Sequence, residues 1–372
     1  MPNFLQKDFK LVEKSKIWFA IPAVILVIGI VLLIVFGFNL GIEFAGGTQL
    51  NIEVSGLTAE NFQEAANEAT AALTDLGIEV SNVQKETLAG TLFIKMSFKN
   101  QINHTAVEGE KAESVLTSLE RLYSGSELSA TDKENLSAYL GENFDYTAYR
   151  GIPARIHSVS GLESAAVTMN RESTGPVVSQ QLFTNALLSL GIALAFILVY
   201  IIIRFRSLGG FAAGLAAVLA LLHDVLIMLS FMVVFGLLGM QMNSTFVAAV
   251  ITIVCYSINN TIVVFDRVRE NQKLMGGDTV QAIANISVKQ VLGRTLFTSL
   301  TTLIAVLVLT ILGVSTLREF TAPIIVGLIA GTYSSVFLAA PLWALMKMKG
   351  DKNQPKKAAP KKKAPQNDKV VV

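Results

Sequence analysis

The stretch ITIVCYSINNTIVVFDRVREN, residues 251–271, opens as an apolar run and closes in alternating charge. Between the two parts stand Asn259 and Asn260, amides whose hydrogen bonds have no obvious partner in lipid. A hydrocarbon core about 30 Å thick needs roughly 20 apolar residues in a helix, and residues 243–265 supply such a run. Comparable runs cover 17–38, 182–203, 211–236, 295–317 and 321–346. The expected fold is therefore an α-helical integral membrane protein with six transmembrane helices. Composition agrees: 52% of the 372 residues are hydrophobic and 16% are charged, against about 25% charged in soluble domains.

Lys7, Lys10, Lys14 and Lys16 precede the first run as they would in a signal peptide. The run is longer than the 7–15 residues of a signal core, and no clear small-x-small cleavage site follows, so it is read as a retained span. The expected order is a short N-terminus (1–16), the first span (17–38), a folded segment (39–181), five further spans (182–346) and a Lys-rich tail (347–372). Residues 41–180 hold 19 acidic and 9 basic side chains, and the remainder 9 acidic and 21 basic. The basic clusters lie at the N-terminus, in RFRS (204–207), in DRVRENQK (266–273) and in the tail, which six spans place on one side. By the positive-inside rule both termini are cytoplasmic in a cell membrane and the acidic segment lies outside.

That external segment reads as a small α+β domain. TQLNIEV (48–54), IEVSNVQKE (78–86) and TLFIKMSF (91–98) have strand character, as do ARIHSV (154–159) and SAAVTM (164–169). TAENFQEAANEATAALTDLG (58–77) has a Thr cap, helical spacing and a closing Gly. Residues 108–149 read as two helices around GSELSATD. The single Cys255 lies in a span, so no internal disulfide forms and the domain is held by its core. The tail, KGDKNQPKKAAPKKKAPQNDK (349–369), has no apolar face and is expected to be disordered. Its place beside a span favours anionic lipid, at about 1 kcal/mol per Lys; ribosomal RNA or simple solvation are alternatives.

Ionisable side chains inside a bilayer cost roughly 2.5–3.5 kcal/mol on insertion scales and are functional candidates. His223 and Asp224 in ALLHDVLIM and Arg294 in GRTLFTSLTT qualify. Thr298 and Thr301 follow Arg294 on one helical face. Each has a plainer reading: Asp224 as an acceptor for hydroxyls of neighbouring helices, Arg294 snorkelling to headgroups, Asn259 and Asn260 as interhelical glue. Gly210/Gly214 and Gly327/Gly331 read as close helix packing. His104, His157 and His223 lack metal spacing, and no nucleophile, zinc or phosphate-loop motif occurs. The sequence thus points to no catalytic residue, no metal and no cofactor, and to a chain that is not an enzyme. Asn103 and Asn135 fall in glycosylation triplets, which the resemblance below discounts.

Five motifs resemble the SecF family, the smaller half of the SecD–SecF accessory complex of protein export. GIEFAGGT (41–48) is similar to G-I-D-F-x-G-G-T, with Gly41, Glu43, Gly46 and Gly47 at its marked positions. STGPVVS (173–179) is similar to V-G-P-x-V-S. The run from RFRS through ALLHDVLIM resembles the H-D span. YSINNTIVVFDRVREN (256–271), carrying Asp266 and Arg267, resembles Y-S-I-N-D-T-V-V-V-F-D-R-I-R-E-N, and RTLFTSLTT (294–302) resembles R-T-x-x-T-S-x-T-T. The resemblance implies one half of an RND-type transporter with an α+β domain between its first two helices. It further implies pairing with SecD, work beside the SecYEG channel and the SecA ATPase, and use of the proton or sodium gradient on an unfolded exported polypeptide.

The sequence departs from the pattern twice. Glu43 replaces Asp, keeping the charge. Asn260 stands where the family has its intramembrane Asp, and an amide does not titrate near neutral pH. One charge moved through 100 mV yields about 2.3 kcal/mol, which is usable only if some site binds the ion. That site would be the SecD carboxylate or Asp224. The ion-path candidates are Asn259, Asn260, Arg294, Asp224 and Thr298, with Asn259 and Asn260 expected to face SecD and Arg294 to lie near them. The alternative functions are a passive translocase scaffold without ion coupling in this half, and an RND-type small-molecule exporter.

Overall fold

In the computed structural model, residues 10–88, 91–98, 109–208, 210–275, 277–312 and 315–352 are described. Asn103, His104 and the tail beyond 352 lie outside them. The first long helix, α1 (Ser15–Phe36), closes where Gly37 takes a positive φ of 70° and returns its N–H to the Leu33 carbonyl, a conformation that favours glycine. After the short helix α2 (Ile42–Ala45), strand β1 (Gly47–Val54) opens the folded domain. It continues through α3 (Phe62–Thr74), β2 (Val80–Leu88), β3 (Thr91–Phe98), α4 (Gly109–Tyr123), α5 (Ala130–Leu140), α6 (Ile152–Ile156) and β4 (Val167–Thr174).

The four strands form one antiparallel sheet in the order β2-β3-β1-β4, the β-α-β-β-α-β arrangement of ferredoxin-like domains. Alternation decides its faces. Leu50, Ile52, Val54, Ile94, Met96 and Phe98 point one way and are buried against α3, where Ala65, Ala66, Ala69, Ala72 and Leu73 present a flat apolar stripe. Residues 154–159 are not the strand the sequence pattern implied. Gly151 caps a short helix there with Pro at its first turn, and Ile152 and Ile156, four apart, both reach the core with no exposure. A segment this short carries the spacing of helix and strand almost equally. The neighbouring strand starts at Val167, later than SAAVTM suggested.

Six helices are long and apolar enough to cross a membrane. They are α1, α7 (Pro176–Arg204), α8 (Gly210–Leu237), α9 (Ser244–Leu274), α10 (Val280–Leu312), and α11 (Ser315–Ser334) joined to α12 (Ala340–Lys352) through a π-helical turn at Ser335–Ala339. The bundle core is built on α8, α9 and α11, while α1, α7 and α10 turn most of their apolar surface outward. Small residues let the inner helices approach. A Cβ on Gly331 would stand 3.0 Å from the Ser257 Cβ, and one on Gly214 would meet Ile202, as the glycine spacing predicts.

Two helices outrun the bilayer. At 1.5 Å per residue the 31 residues of α9 reach about 46 Å, and α10 begins at Val280 rather than near 295. Its added turns carry Ile283, Ala284, Val288 and Val291 against α9. An apolar-run reading misses them because their outer face is polar. The two extensions form a hairpin on the side of the bundle opposite the α+β domain.

Within that domain, residues 109–140 form the two helices expected around GSELSATD, and a single carboxylate joins them. Ser129 and Asp132 form a reciprocal capping box on α5. Asp132 also accepts from the Ser118 hydroxyl at 2.9 Å and from Arg121 at 2.8 Å. The Ser129 O–H and N–H, with smaller help from Ser118 and Arg121, hold its carboxyl well below the usual range. The folded group keeps its charge more easily than the unfolded one, so its stabilisation is complete above the unfolded pKa near 3.9 and fades as pH falls through the lower folded value. Asp132→Ala is expected to lower the unfolding temperature at neutral pH, with a smaller difference from the parent in strong acid. Thermal unfolding of the detergent-solubilised full chain at the two pH values checks both.

Candidate functional site

Polar side chains within the bundle collect on α9 and point three ways. The first set surrounds Asp224, halfway along α8 and fully buried. Its Oδ2 accepts from the Ser257 hydroxyl of α9 at 2.5 Å and the Ser334 hydroxyl of α11 at 2.9 Å. The His223 Nδ1 lies 2.9 Å from Oδ1, so the carboxylate joins three helices at the edge of the π-turn. The second ring nitrogen, Nε2, is buried with no partner among the described residues. His223 stacks on Tyr333, whose hydroxyl donates to the Trp18 carbonyl of α1 at 2.6 Å.

The second set lies between α9 and α10. Asn260 is 5% exposed, and its Nδ2 reaches the Ser299 hydroxyl at 3.5 Å, the outer limit of a hydrogen bond. The Tyr256 hydroxyl donates to the same Ser299 at 3.3 Å. The Thr261 and Thr295 hydroxyls are buried without partners among the described residues. Among the described residues this set holds amide and hydroxyl groups and no acid.

The third set faces out. Ser244, Ala248, Thr252, Cys255 and Asn259 are exposed at steps of three and four residues, one stripe along α9. One turn beyond Asn259, Val263 lines a cavity of about 710 Å³ with Asp266, Arg267, Arg269, Glu270, Lys273, Gln290 and Arg294. Asp266 is held by Arg204 at 2.8 Å and Arg269 at 3.1 Å. Arg267 donates to Gln290 and Glu270, both at 2.6 Å. Arg294 is exposed, with no ion pair among the described residues. Thr298, also exposed, returns its hydroxyl to the Arg294 carbonyl at 2.9 Å.

The five ion-path candidates thus divide. Asn259, Arg294 and Thr298 share the open side of α9 and α10, Asn260 is turned inward one residue away, and Asp224 belongs to the opposite side of α9. Sequence reading overlooked Ser257, Ser299 and Ser334. Their signal is a hydroxyl within an apolar run, common enough in helices to mean little until a partner is seen. Among the described residues no group of three potential metal ligands assembles.

The signature glycines lie where domain and bundle join. The Gly41 N–H donates to the Met242 carbonyl at 2.9 Å, and Met242 N–H to the Asn39 carbonyl at 2.7 Å. Gly46 and Gly47 hold positive φ of 71° and 136°, which turns the chain out of α2 into β1. Glu43 is half-buried beside Gly41.

Residues 31–56, which contain these glycines, match the SecD/SecF GG motif, and residues 156–349 match the C-terminal model of the protein export membrane proteins SecD/SecF. The chain belongs to the SecD/SecF family. It is 31% identical over 362 residues to the protein translocase subunit SecF of Alicyclobacillus acidocaldarius, covering 96% of this chain and 99% of that protein. Over 180 residues it is 41% identical to the protein translocase subunit SecDF of Thermus thermophilus, covering 48% of this chain and 24% of the relative. The crystal structure of SecDF from Thermus thermophilus, described as a translocon-associated membrane protein, superposes with a TM-score of 0.66 at 26% identity. That match covers 94% of this chain but 40% of the SecDF chain. Membership in the SecD/SecF family makes this chain a multi-pass membrane component of protein export and not an enzyme.

Asp224→Ala would leave two hydroxyls and an imidazole nitrogen without their acceptor. It is expected to destabilise the chain by about 1–3 kcal/mol, whereas Ser257→Ala, removing one of three bonds, should cost about 0.6 kcal/mol. Thermal unfolding of both variants in detergent checks the order. Equal losses would contradict the shared role of the carboxylate.

Proposed function

We propose that the chain is the SecF half of a SecD–SecF unit that helps the Sec translocase complete polypeptide export, using an ion gradient. The domain then lies outside the cytoplasmic membrane and both termini inside, with RFRS, the DRVREN hairpin and the α12 end on the cytoplasmic face. SecYEG, SecA and the exported polypeptide are the neighbours this reading requires.

The observation that carries it is the unfinished polar side of the bundle. The outward surface of α1 is apolar, as is most of that of α7 from Gly191 on, while the earlier turns of α7 expose Thr184, Asn185 and Ser189. The α9–α10 side instead leaves Asn259, Thr298 and Arg294 open. Arg294 stands at the edge of the apolar run beside the charged cluster of Asp266 and Glu270, where a partner, water or headgroups can meet it, and a second six-helix half would supply the first two. That the superposed SecDF chain is much longer than this one supports the same reading, because it has room for that half. In the complete unit Arg294 would face a carboxylate of SecD across the contact.

Asn260 does not carry the proton in this scheme. An amide at the family's acid position can orient water or an ion but cannot load and release a proton. Asp224, whose two oxygens already take three hydrogen bonds, serves as a structural joint. Coupling in this half then rests on Arg294 and the SecD acid. A passive scaffold is the second reading, favoured by the same two facts.

Two measurements separate them. Export by membranes containing the complete unit should lose its dependence on this chain when the gradient is collapsed; a stimulation that survives leaves the scaffold. Asn260→Asp should leave gradient-dependent export within about twofold if SecD supplies the acid, a change of some 0.4 kcal/mol in barrier. A tenfold gain would mean that coupling was lost with the carboxylate.

A further inference from the structure

The second face of the sheet, turned away from α3, meets the ends of the membrane helices. Gln241 of the α8–α9 connection donates to the Ser97 hydroxyl at 3.1 Å, and Lys95 pairs with Glu319 of α11 at 3.4 Å. A polar sheet face is ordinarily solvated, yet Gln49 and Ser97 are buried in this contact. Beside it, under the edge strand β2, the two surfaces part. They leave a cleft of about 570 Å³ between Asn82 and Gln84 of β2 and residues 236–240 of the α8–α9 turn, with Arg318 and Glu319 completing the wall. That volume is ordinary for a small-ligand site. Nothing in the sequence marks the cleft, because its parts come from β2, the turn and α11.

Two atoms of the residues lining it are buried and meet no hydrogen-bonding partner among the described residues, Asn82 Nδ2 and Gln84 Nε2. A third such atom on this face, Asn51 Oδ1, belongs to a residue outside the cleft. Folded proteins satisfy nearly all such atoms, and each exception wants an explanation. Both cleft atoms are N–H donors. Arg318 adds more: its Nε donates to the Thr310 carbonyl at 3.2 Å, and it forms no ion pair among the described residues. Glu319, the carboxylate in the wall, is already taken by Lys95 and by the Asn243 amide at 2.5 Å. Lys85 turns to the α3 side, its ammonium 5.5 Å from the centre of the Phe62 ring. The cleft therefore offers donors and one uncompensated positive charge, and calls for an acceptor that carries negative charge.

We propose that this cleft holds the phosphodiester of a membrane phospholipid, drawn from the leaflet on the domain's side. A phosphodiester carries a single negative charge and only acceptor oxygens. Two carboxamide N–H groups and a guanidinium are its complement. The surroundings select a lipid over a free phosphate. Leu237 and Leu238 line the cleft where α8 ends, and both are exposed, as is Leu317 just before Arg318. Open leucines beside a ring of donors give acyl chains and headgroup each their own surface. A lipid seated there is wedged between β2 and the bundle, so the contact between sheet and helices becomes sensitive to the composition of that leaflet. The proposal stands on this geometry and on the six membrane-crossing helices, and does not depend on the export reading.

The test uses the full chain in lipid nanodiscs containing a trace of phosphatidylcholine with a photoreactive group on its head. After irradiation, adducts are expected on residues 80–88 and 236–240, several-fold above those on the outward faces of α1 and α7. Asn82→Leu/Gln84→Leu should lower labelling of the cleft about fivefold or more, the loss of two hydrogen bonds, with labelling elsewhere unchanged. Arg318→Gln should do the same. It alters an exposed side chain, so it decides the matter even if the amide pair fails to fold. Leu238→Ser, also at an exposed position, should weaken labelling by removing a tail contact. Adducts spread evenly around the bundle, or cleft labelling unchanged in Arg318→Gln, would refute the site, the lipid then being only annular. Displacement of the photoreactive lipid by millimolar inorganic phosphate or glycerophosphocholine would overturn the lipid assignment in favour of a free phosphate.

Discussion

Hydrocarbon offers no hydrogen bonds, so every polar atom inside the bundle must find its partner in protein. Asp224 is where that constraint has the greatest reach in this chain. Its carboxylate takes bonds from α8, α9 and α11 at once, and Gly331 lets Ser257 come close enough for one of them. The three helices it joins are the ones that bury the most surface, while α1, α7 and α10 lean on them from outside. The π-turn at Ser335–Ala339 follows directly after Ser334, so the irregular backbone lies beside the group it helps to place. A bundle fixed by one buried acceptor is rigid on that side of α9 and free to differ on the other.

The other side has the opposite character. Among the described residues the Asn259 and Arg294 side chains meet no hydrogen-bonding partner, and Asn260 holds a single long bond to Ser299. Polar groups left open on this flank are what the proposed pairing with a second six-helix half would cover. The same incompleteness recurs beneath the sheet, where amides on β2 and β1 are buried without partners. Within the domain these amides stand on the face of the sheet opposite the packed core formed by Leu50, Ile94, Leu73 and Ile152. Packing and function have been given separate faces of the same elements.

Coupling between bundle and domain needs a mechanical joint, and the chain has one with three fastenings. Backbone bonds tie Gly41 to Met242, the Lys95–Glu319 pair ties β3 to α11, and the Gln241–Ser97 bond ties the α8–α9 connection to β3. All three fall on one side of the membrane within the first turns of α9 and α11. A shift of α9 or α11 would therefore be felt directly by the sheet. The glycines after α1 set the direction in which β1 leaves the membrane, which fixes the sheet's orientation before any side chain contributes.

Much of this was legible in the residues themselves. Six spans, their order, the small α+β domain and the family motifs follow from local apolar length, alternation and short spacing, because lipid imposes its rule on every residue of a span independently. The misreadings have the same root. The first turns of α10 leave no apolar run because their outer face is polar, and 154–159 carries a strand-like pattern because six residues cannot separate the two periods. What the sequence determined is therefore the list of elements and the presence of polar residues within them. Which amide looks inward, that Asp224 is a joint between helices, and that Asn82, Gln84 and Gly239 face one cleft were decided only by tertiary structure. Adjacent residues on a helix diverge by about 100°, and the partners of a buried group come from elements far apart in the chain.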